Sequence, residues 1–296
     1  MLTKNMLDTM LCPVCKSFPL KLESAFFEKE KITEGKISCT DCHRVYPIVK
    51  GIPNMLPDEL RLKKTVKDNN WNSWKRKIEQ FNRAMAEWTE ENTNQTIPAL
   101  ENLFYDFCSI RNSVLDIGSA CGIARHFLGN VNYWGVDPED WINYPKINVA
   151  LEEIFPCVKT PFPFFLAVGE YLPFKEESFD NVLIISALDH VNSPHDVFKE
   201  AHRVLKKGGK IILATYCFEE KYKEKPKISQ YLGKGSKDVL KGDFATLGRR
   251  IIRRLRYIPD FLFTYEEIQG LFEGLFRDLK YRKYKENEWF FKAIKT

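Results

Sequence analysis

Val114-Leu-Asp-Ile-Gly-Ser-Ala-Cys-Gly122, followed by Tyr133-Trp-Gly-Val-Asp137, decides the fold. The first run reads as a buried strand over 114–117, a turn of small residues, and a helix through Ile123 and Leu128; the second reads as another strand. Strand, helix and strand in that order make a parallel α/β unit. A doubly wound sheet binds its ligand beyond the carboxyl ends of its strands, where Asp116, Gly118 and Gly122 fall. Asp137 ends the second strand, 19 residues after Gly118, where a carboxylate can accept hydrogen bonds from both hydroxyls of a ribose. The turn has G-x-x-x-G, not the G-x-G-x-x-G that seats a pyrophosphate on a helix N-terminus, so an adenosine-type ligand fits better than a dinucleotide. A purely structural turn would explain the glycines but not both aspartates.

Working outward, further strands are readable at 164–168, 179–187 and 210–216, with a helix over 194–206 capped by Ser193, opened by Pro194 and ended by Gly208-Gly209. Thr264-Tyr-Glu-Glu267 reads as a capping box, and 279–284 with 288–294 as a closing hairpin. Ahead of the first strand, a helix is expected to begin near Pro98, with Leu100, Leu103, Phe104 and Phe107 on one side. Trp71, Trp74, Ile78, Phe81, Met85 and Trp88 make the apolar face of another helix, for which core packing is favoured over nucleic-acid stacking.

The N-terminal region has a different chemistry. Cys12-Pro-Val-Cys15 and Cys39-Thr-Asp-Cys42 place four thiols in two C-x-x-C turns about a hairpin's length apart, the spacing of a structural zinc site. Cys39 to His43 also matches C-x-x-C-H haem attachment, but that chemistry belongs to exported proteins and leaves the first pair unexplained. Neither pair sits between a strand and a helix, as a redox-active pair would. So small a module draws much of its folding free energy from the metal.

The whole chain of 296 residues is 44% hydrophobic and carries a formal charge of +5, which excludes a disordered tail or a fibrous repeat. It lacks an apolar run long enough to cross a membrane and a signal-peptide pattern, so a cytoplasmic location with reduced cysteines is expected. Twelve Lys and Arg against five Asp and Glu concentrate over 219–256, with Arg249 to Arg256 as a basic amphipathic stretch suited to phosphate groups or an anionic surface.

Two resemblances follow. C-P-x-C, C-x-x-C and then Tyr46-Pro-Ile-Val-Lys-Gly-Ile-Pro-Asn-Met-Leu56 resemble the small zinc-ribbon proteins that activate tRNA and protein methyltransferases. Val114 to Gly122, Gly135-Val-Asp-Pro138, Glu170-Tyr-Leu-Pro-Phe174, Ser178-Phe-Asp-Asn-Val182, Leu188-Asp-His-Val191 and Arg203-Val-Leu-Lys-Lys-Gly-Gly209 resemble class I S-adenosylmethionine-dependent methyltransferases, in particular their ubiquinone-biosynthesis-like branch. The implied architecture is an α/β protein: a doubly wound, Rossmann-like methyltransferase sheet over 110–296, a helical linker and cap over 58–109, and a zinc ribbon over 1–57. Residues 218–262 form an expected acceptor-site insertion.

The resemblance implies that Gly118, Ser119, Ala120 and Gly122 wrap the methionine part of S-adenosyl-L-methionine, that Asp137 holds the ribose, and that Asp116 belongs to the same cofactor set. It also implies that Pro138 flanks the adenine and Glu170 reaches its edge, with Tyr171 and Ser186 completing the cofactor set. Zinc would be held by Cys12, Cys15, Cys39 and Cys42. Two positions depart from the family: Ala120 replaces a glycine, and Val168 replaces an aspartate that often contacts the adenine amino group. Asp189 and His190 follow the fourth strand and face the acceptor, with His190 a candidate base if that acceptor is a hydroxyl. The favoured reading is methyl transfer to a small-molecule or glycan-like acceptor, at oxygen. RNA is the alternative acceptor, disfavoured by the ribbon's seven basic against five acidic residues over 11–53; a non-catalytic partner subunit is the third reading.

Overall fold

The computed structural model describes residues 2–65, 90–143, 152–219, 263–285 and 287–296. Its first unit is an antiparallel sheet of β1 (Leu20–Glu28), β2 (Lys31–Cys39), β3 (Val45–Val49) and β4 (Ile52–Pro53), joined in chain order. Ile32, Ile37 and Cys39 of β2 and Tyr46 and Ile48 of β3 point into one buried face. A short helix, α1 (Asp58–Thr65), follows.

Helix α2 (Glu90–Asn102) carries Pro98 in its interior, so the proline does not open it: the chain is already helical at Glu90. It widens into a π-helical turn, Leu103–Cys108, that buries Leu103, Phe104 and Phe107, and Ser109 ends it in a left-handed conformation. The main sheet then assembles from β5 (Ser113–Ile117), β6 (Asn132–Asp137), β7 (Phe164–Leu166), β8 (Phe179–Ile185) and β9 (Leu205–Phe218), with α3 (Pro194–Val204) between the last two. After β10 (Phe263–Thr264) and α4 (Tyr265–Phe272), the hairpin β11 (Phe276–Lys285) and β12 (Glu288–Lys295) closes the sheet. The order is β11-β12-β9-β8-β5-β6-β7, with the five central strands parallel and the hairpin antiparallel. The winding order reverses between β5 and β8, the topological switch point at which sheets of this kind bind ligands beyond the carboxyl ends of their strands.

Local signals hold at α3, where Ser193 Oγ accepts the Asp196 N–H at 3.3 Å, and at α4, where Thr264 and Glu267 form the reciprocal capping box. Two expectations fail. Only a 3₁₀ turn, Ile123–Phe127, follows the glycine loop, because few residues separate Gly122 from β6 and a multi-turn helix does not fit. Gly208-Gly209 does not end α3, whose last residue is Val204; the chain passes directly into β9. A Cβ on Gly209 would lie 3.0 Å from Asp180 O, so this glycine serves the approach of β9 to β8.

The ribbon is seated on the main sheet and shares its core. Met55 N–H donates to Leu166 O at 2.8 Å on the edge strand β7, Leu11 N–H to Pro173 O at 3.0 Å, and Lys175 N–H to Thr9 O at 2.8 Å. Met10, Ile37, Tyr46 and Met55 belong to one apolar cluster with Leu115, Trp134, Phe165 and Phe174. An edge that would otherwise expose unpaired backbone groups is thereby covered. Among the described residues no helix is long and apolar enough to cross a membrane. The helix expected over 71–88, all but Phe218 and Glu219 of 218–262, and the basic run 249–256 lie outside the described residues.

Candidate active site and metal centre

Hydrophobic β5 and β6 bury their ends and leave two carboxylates side by side. Asp116 and Asp137 are each 3% exposed. Gly135 lies opposite Asp116 in the parallel register, and its missing side chain is replaced by Ser119 and Phe162, which a Cβ would strike at 2.4 and 2.7 Å. The loop between them turns through left-handed residues at Gly118 (φ 75°), Ala120 (φ 47°) and Gly122 (φ 75°). A Cβ on Gly118 would meet the Ala187 methyl at 2.4 Å, so glycine is required there by packing as well as by conformation. Ala120 holds a conformation that favours glycine, which gives the substitution a backbone cost of about 1 kcal/mol.

Asp137 anchors this loop. Its Oδ2 accepts Ala120 N–H at 3.1 Å, and its Oδ1 accepts Glu139 N–H and Trp141 Nε1–H, both at 2.9 Å. Asp116 Oδ2 accepts the Tyr133 hydroxyl at 2.5 Å, whereas its buried Oδ1 has no hydrogen-bond partner among the described residues. Burial raises both carboxyls to about 7; the Asp137 charge adds to the rise at Asp116, while Tyr133 opposes it. An orphaned buried acceptor beside a small-residue loop marks a candidate ligand site, since such a group is costly unless something pairs with it. These residues fit S-adenosylmethionine: Asp116 suits its cationic methionine part, the glycine loop gives close approach, and Asp137 Oδ2 keeps lone-pair capacity for a ribose hydroxyl.

The other expected site residues are distributed around this centre. Glu170 Oε1 accepts Asn192 N–H at 2.7 Å and Ser193 N–H at 3.1 Å, so this carboxylate braces the start of α3. Tyr171 is largely exposed, Ser186 is exposed in a left-handed conformation at the end of β8, and Pro138 follows Asp137 directly. Asp189 and His190 occupy a 3₁₀ turn after β8, with His190 Nε2 3.5 Å from Asp189 Oδ2 and Asp189 buried. Tyr133 and Trp141 escaped the sequence reading although both hold site carboxylates. Period-two spacing puts Tyr133, Gly135 and Asp137 on one face of β6, and that alternation was the available signal. Two open cavities of about 570 and 470 Å³ lie instead at the amino ends of β5 and β8, around Asn112, Asp180 and Lys206, away from these groups.

In the ribbon, Cys12, Cys15, Cys39 and Cys42 bring their sulfur atoms within 4.8 Å of one another. Four convergent thiols fit zinc in a closed, structural, tetrahedral site. Lys16 follows the first knuckle and reaches across to α3, where its Nζ lies 2.6 Å from Glu200 Oε2. That carboxylate also accepts Leu172 N–H at 2.9 Å and pairs with Arg203, whose guanidinium donates to Phe174 O and Leu172 O. The knuckle, α3 and segment 169–175 thus share one polar junction.

Two buried carboxylates and a glycine loop at the carboxyl end of a doubly wound sheet, which an antiparallel hairpin completes and a four-thiol ribbon precedes, define the class. Comparison with known proteins agrees: residues 115–213 match the methyltransferase domain family and residues 3–51 the Trm112p-like protein family. Residues 115–213 thus form a methyltransferase domain, and a Trm112p-like domain with its four-thiol cluster lies at its N-terminal side. It is 27% identical over 110 residues to a tRNA U34 carboxymethyltransferase of Syntrophotalea carbinolica, covering 36% of this chain and 32% of that protein. It is 55% identical over 38 residues to the multifunctional methyltransferase subunit trm112 of Schizosaccharomyces pombe, covering 13% and 29%. It is 39% identical over 57 residues to a UPF0434 protein of Methylobacillus flagellatus, covering 19% of this chain and 80% of that one. The chain spans about a third of the length of the first two.

Proposed function

We propose that this chain methylates a hydroxyl of a small-molecule or glycan-like acceptor, with His190 as the base. The observation that carries the reading is the Asp189–His190 pair, held at the end of β8 next to Ala187, the residue against which Gly118 packs. When bound, S-adenosylmethionine supplies an electrophilic methyl carbon. The loop 118–122 and Asp137 hold the cofactor, and most of the acceleration comes from fixing the nucleophile in line with the methyl group. A hydroxyl must lose its proton as it attacks, and His190 accepts it while buried Asp189 orients the imidazole and offsets the charge it gains.

RNA is the second reading. One observation favours it: Lys280 and Lys292 face each other across the closing hairpin, with Lys210 and Arg282 close by. Burial lowers the Lys292 pKa, and those three like charges add to the effect. A similar tRNA-modifying enzyme adds support.

The test is transfer of a radiolabelled methyl group from S-adenosylmethionine into fractionated lysate, with His190→Gln alongside. Nuclease-resistant label in small-molecule or glycan fractions, lowered about 10²-fold or more by the substitution with cofactor affinity retained, supports the first reading. Nuclease-sensitive label, with acceptor affinity falling steeply with salt, supports the second. Failure to bind the cofactor returns the chain to a non-catalytic partner role.

A further inference from the structure

Tyr133 is a buried phenol that the cofactor-binding reading leaves without a task. It lies on β6, and Val114, not Asp116, is its register partner. Its hydroxyl nevertheless reaches diagonally to Asp116 Oδ2 at 2.5 Å, past Gly135, whose side-chain space Ser119 and Phe162 fill. The ring is fixed by Phe162, edge-on with centroids 5.2 Å apart, and by the Arg125 guanidinium 5.7 Å from its centroid. Arg125 is held in turn by Gly122 O at 3.1 Å and Thr160 O at 2.7 Å. A phenol packed in this way donates to one carboxylate oxygen and restrains how the other is presented. The other oxygen, Oδ1, is buried and has no partner among the described residues.

We infer that Tyr133 is a positioning residue that holds Asp116 with Oδ1 presented to the ligand, making the crevice selective for a cofactor that carries a positive group at that point. The inference rests on the cofactor-binding reading above. A neutral or anionic group placed there would leave a desolvated carboxylate unpaired, the costliest arrangement for a buried charge. A cationic one completes it. Asp137 at the end of β6 and Arg125 and Cys121 from the turn after β5 are the charged and titratable groups facing this pair. Burial raises the Asp116 carboxyl, the Tyr133 hydrogen bond lowers it and the Asp137 charge raises it. Removing the phenol oxygen therefore moves its ionisation to higher pH.

The experiment is calorimetric binding of S-adenosylhomocysteine, which keeps the cationic amino group, to the full chain between pH 6 and 8.5. Wild-type, Tyr133→Phe, Asp116→Asn and the double variant are compared. Wild-type affinity is expected to rise with pH as Asp116 ionises. Tyr133→Phe should weaken binding about tenfold at pH 7 and shift the midpoint of the profile upward. Asp116→Asn should flatten the profile, and adding Tyr133→Phe to it should change affinity less than twofold, because the phenol acts through the carboxylate. A Tyr133→Phe profile that superimposes on wild-type overturns the inference while leaving the cofactor reading intact. An equal loss from Tyr133→Phe in both backgrounds overturns it too, since that marks a packing role alone. If the wild-type chain binds no S-adenosylhomocysteine, the cofactor reading and the inference fall together.

Discussion

Replacing Glu200 by Gln tests whether the polar junction between ribbon and main domain stabilises the molecule. The substitution keeps the side-chain shape and an oxygen for Leu172 N–H, but it removes the charge facing Lys16 and Arg203. Removing one partner of a fully buried pair costs about 3–5 kcal/mol. Here the Lys16 side chain is 35% exposed and that of Arg203 is 23% exposed, so both cations regain water and the cost falls to about 2 kcal/mol. For a chain of this size that lowers the thermal midpoint by roughly 4–8 °C. Burial acts to raise the Glu200 pKa, but Arg203 and Lys16 outweigh it and the net shift is downward. The junction therefore contributes most above the ordinary carboxylate pKa and is lost as pH falls through the depressed one. Differential scanning calorimetry at pH 7 and pH 4 should show the variant's deficit shrink on acidification, and amide exchange should report faster opening around 172–175 and at the first knuckle. A variant that melts with wild-type at pH 7, or whose deficit is unchanged by acid, would refute the reasoning.

Asp116 has the opposite linkage: its folded pKa, about 7, lies above the ordinary 3.8, so the ligand-free chain loses stability as pH rises from about 4 to 7. Asp116→Asn should melt higher than wild-type at pH 8 and flatten that slope, as scanning calorimetry without ligand will show. Ala120→Gly removes a side chain from a left-handed position and should stabilise the chain by about 1 kcal/mol in denaturant titrations. Cys39→Ser removes one of four thiol ligands. Because Ile37 and Tyr46 pack in the same cluster as Phe165 and Phe174, metal loss, measured by elemental analysis, should be accompanied by a lowered melting point of the whole chain and not of the ribbon alone.

Strand patterning and motif spacing carried much of this molecule. β5 and β6 follow from short apolar runs, the α4 capping box from four residues, and the thiol cluster from two C-x-x-C turns. What escaped depends on distance along the chain or on register. Lys16 and Glu200 are 184 residues apart, and nothing local to either marks the other. Tyr133 meets Asp116 only because the parallel register sets a diagonal across Gly135. The glycine pair at 208–209 misled because both residues serve β9 and not the end of α3: Gly208 takes a left-handed backbone (φ 72°) within the strand, and Gly209 lacks room for a Cβ against Lys206 O and Asp180 O.

The seating of the ribbon on β7 also has a consequence in time. During synthesis the ribbon's last strand, β4, is complete by Pro53, but Phe164–Leu166 and the segment to Lys175 that receive it emerge over a hundred residues later. At ordinary elongation rates the nascent module waits on the order of 5–20 s with its docking face uncovered. All four thiols lie within the first 42 residues, so metal capture can precede docking. The ion would then serve the newborn chain as a temporary core until the permanent one arrives.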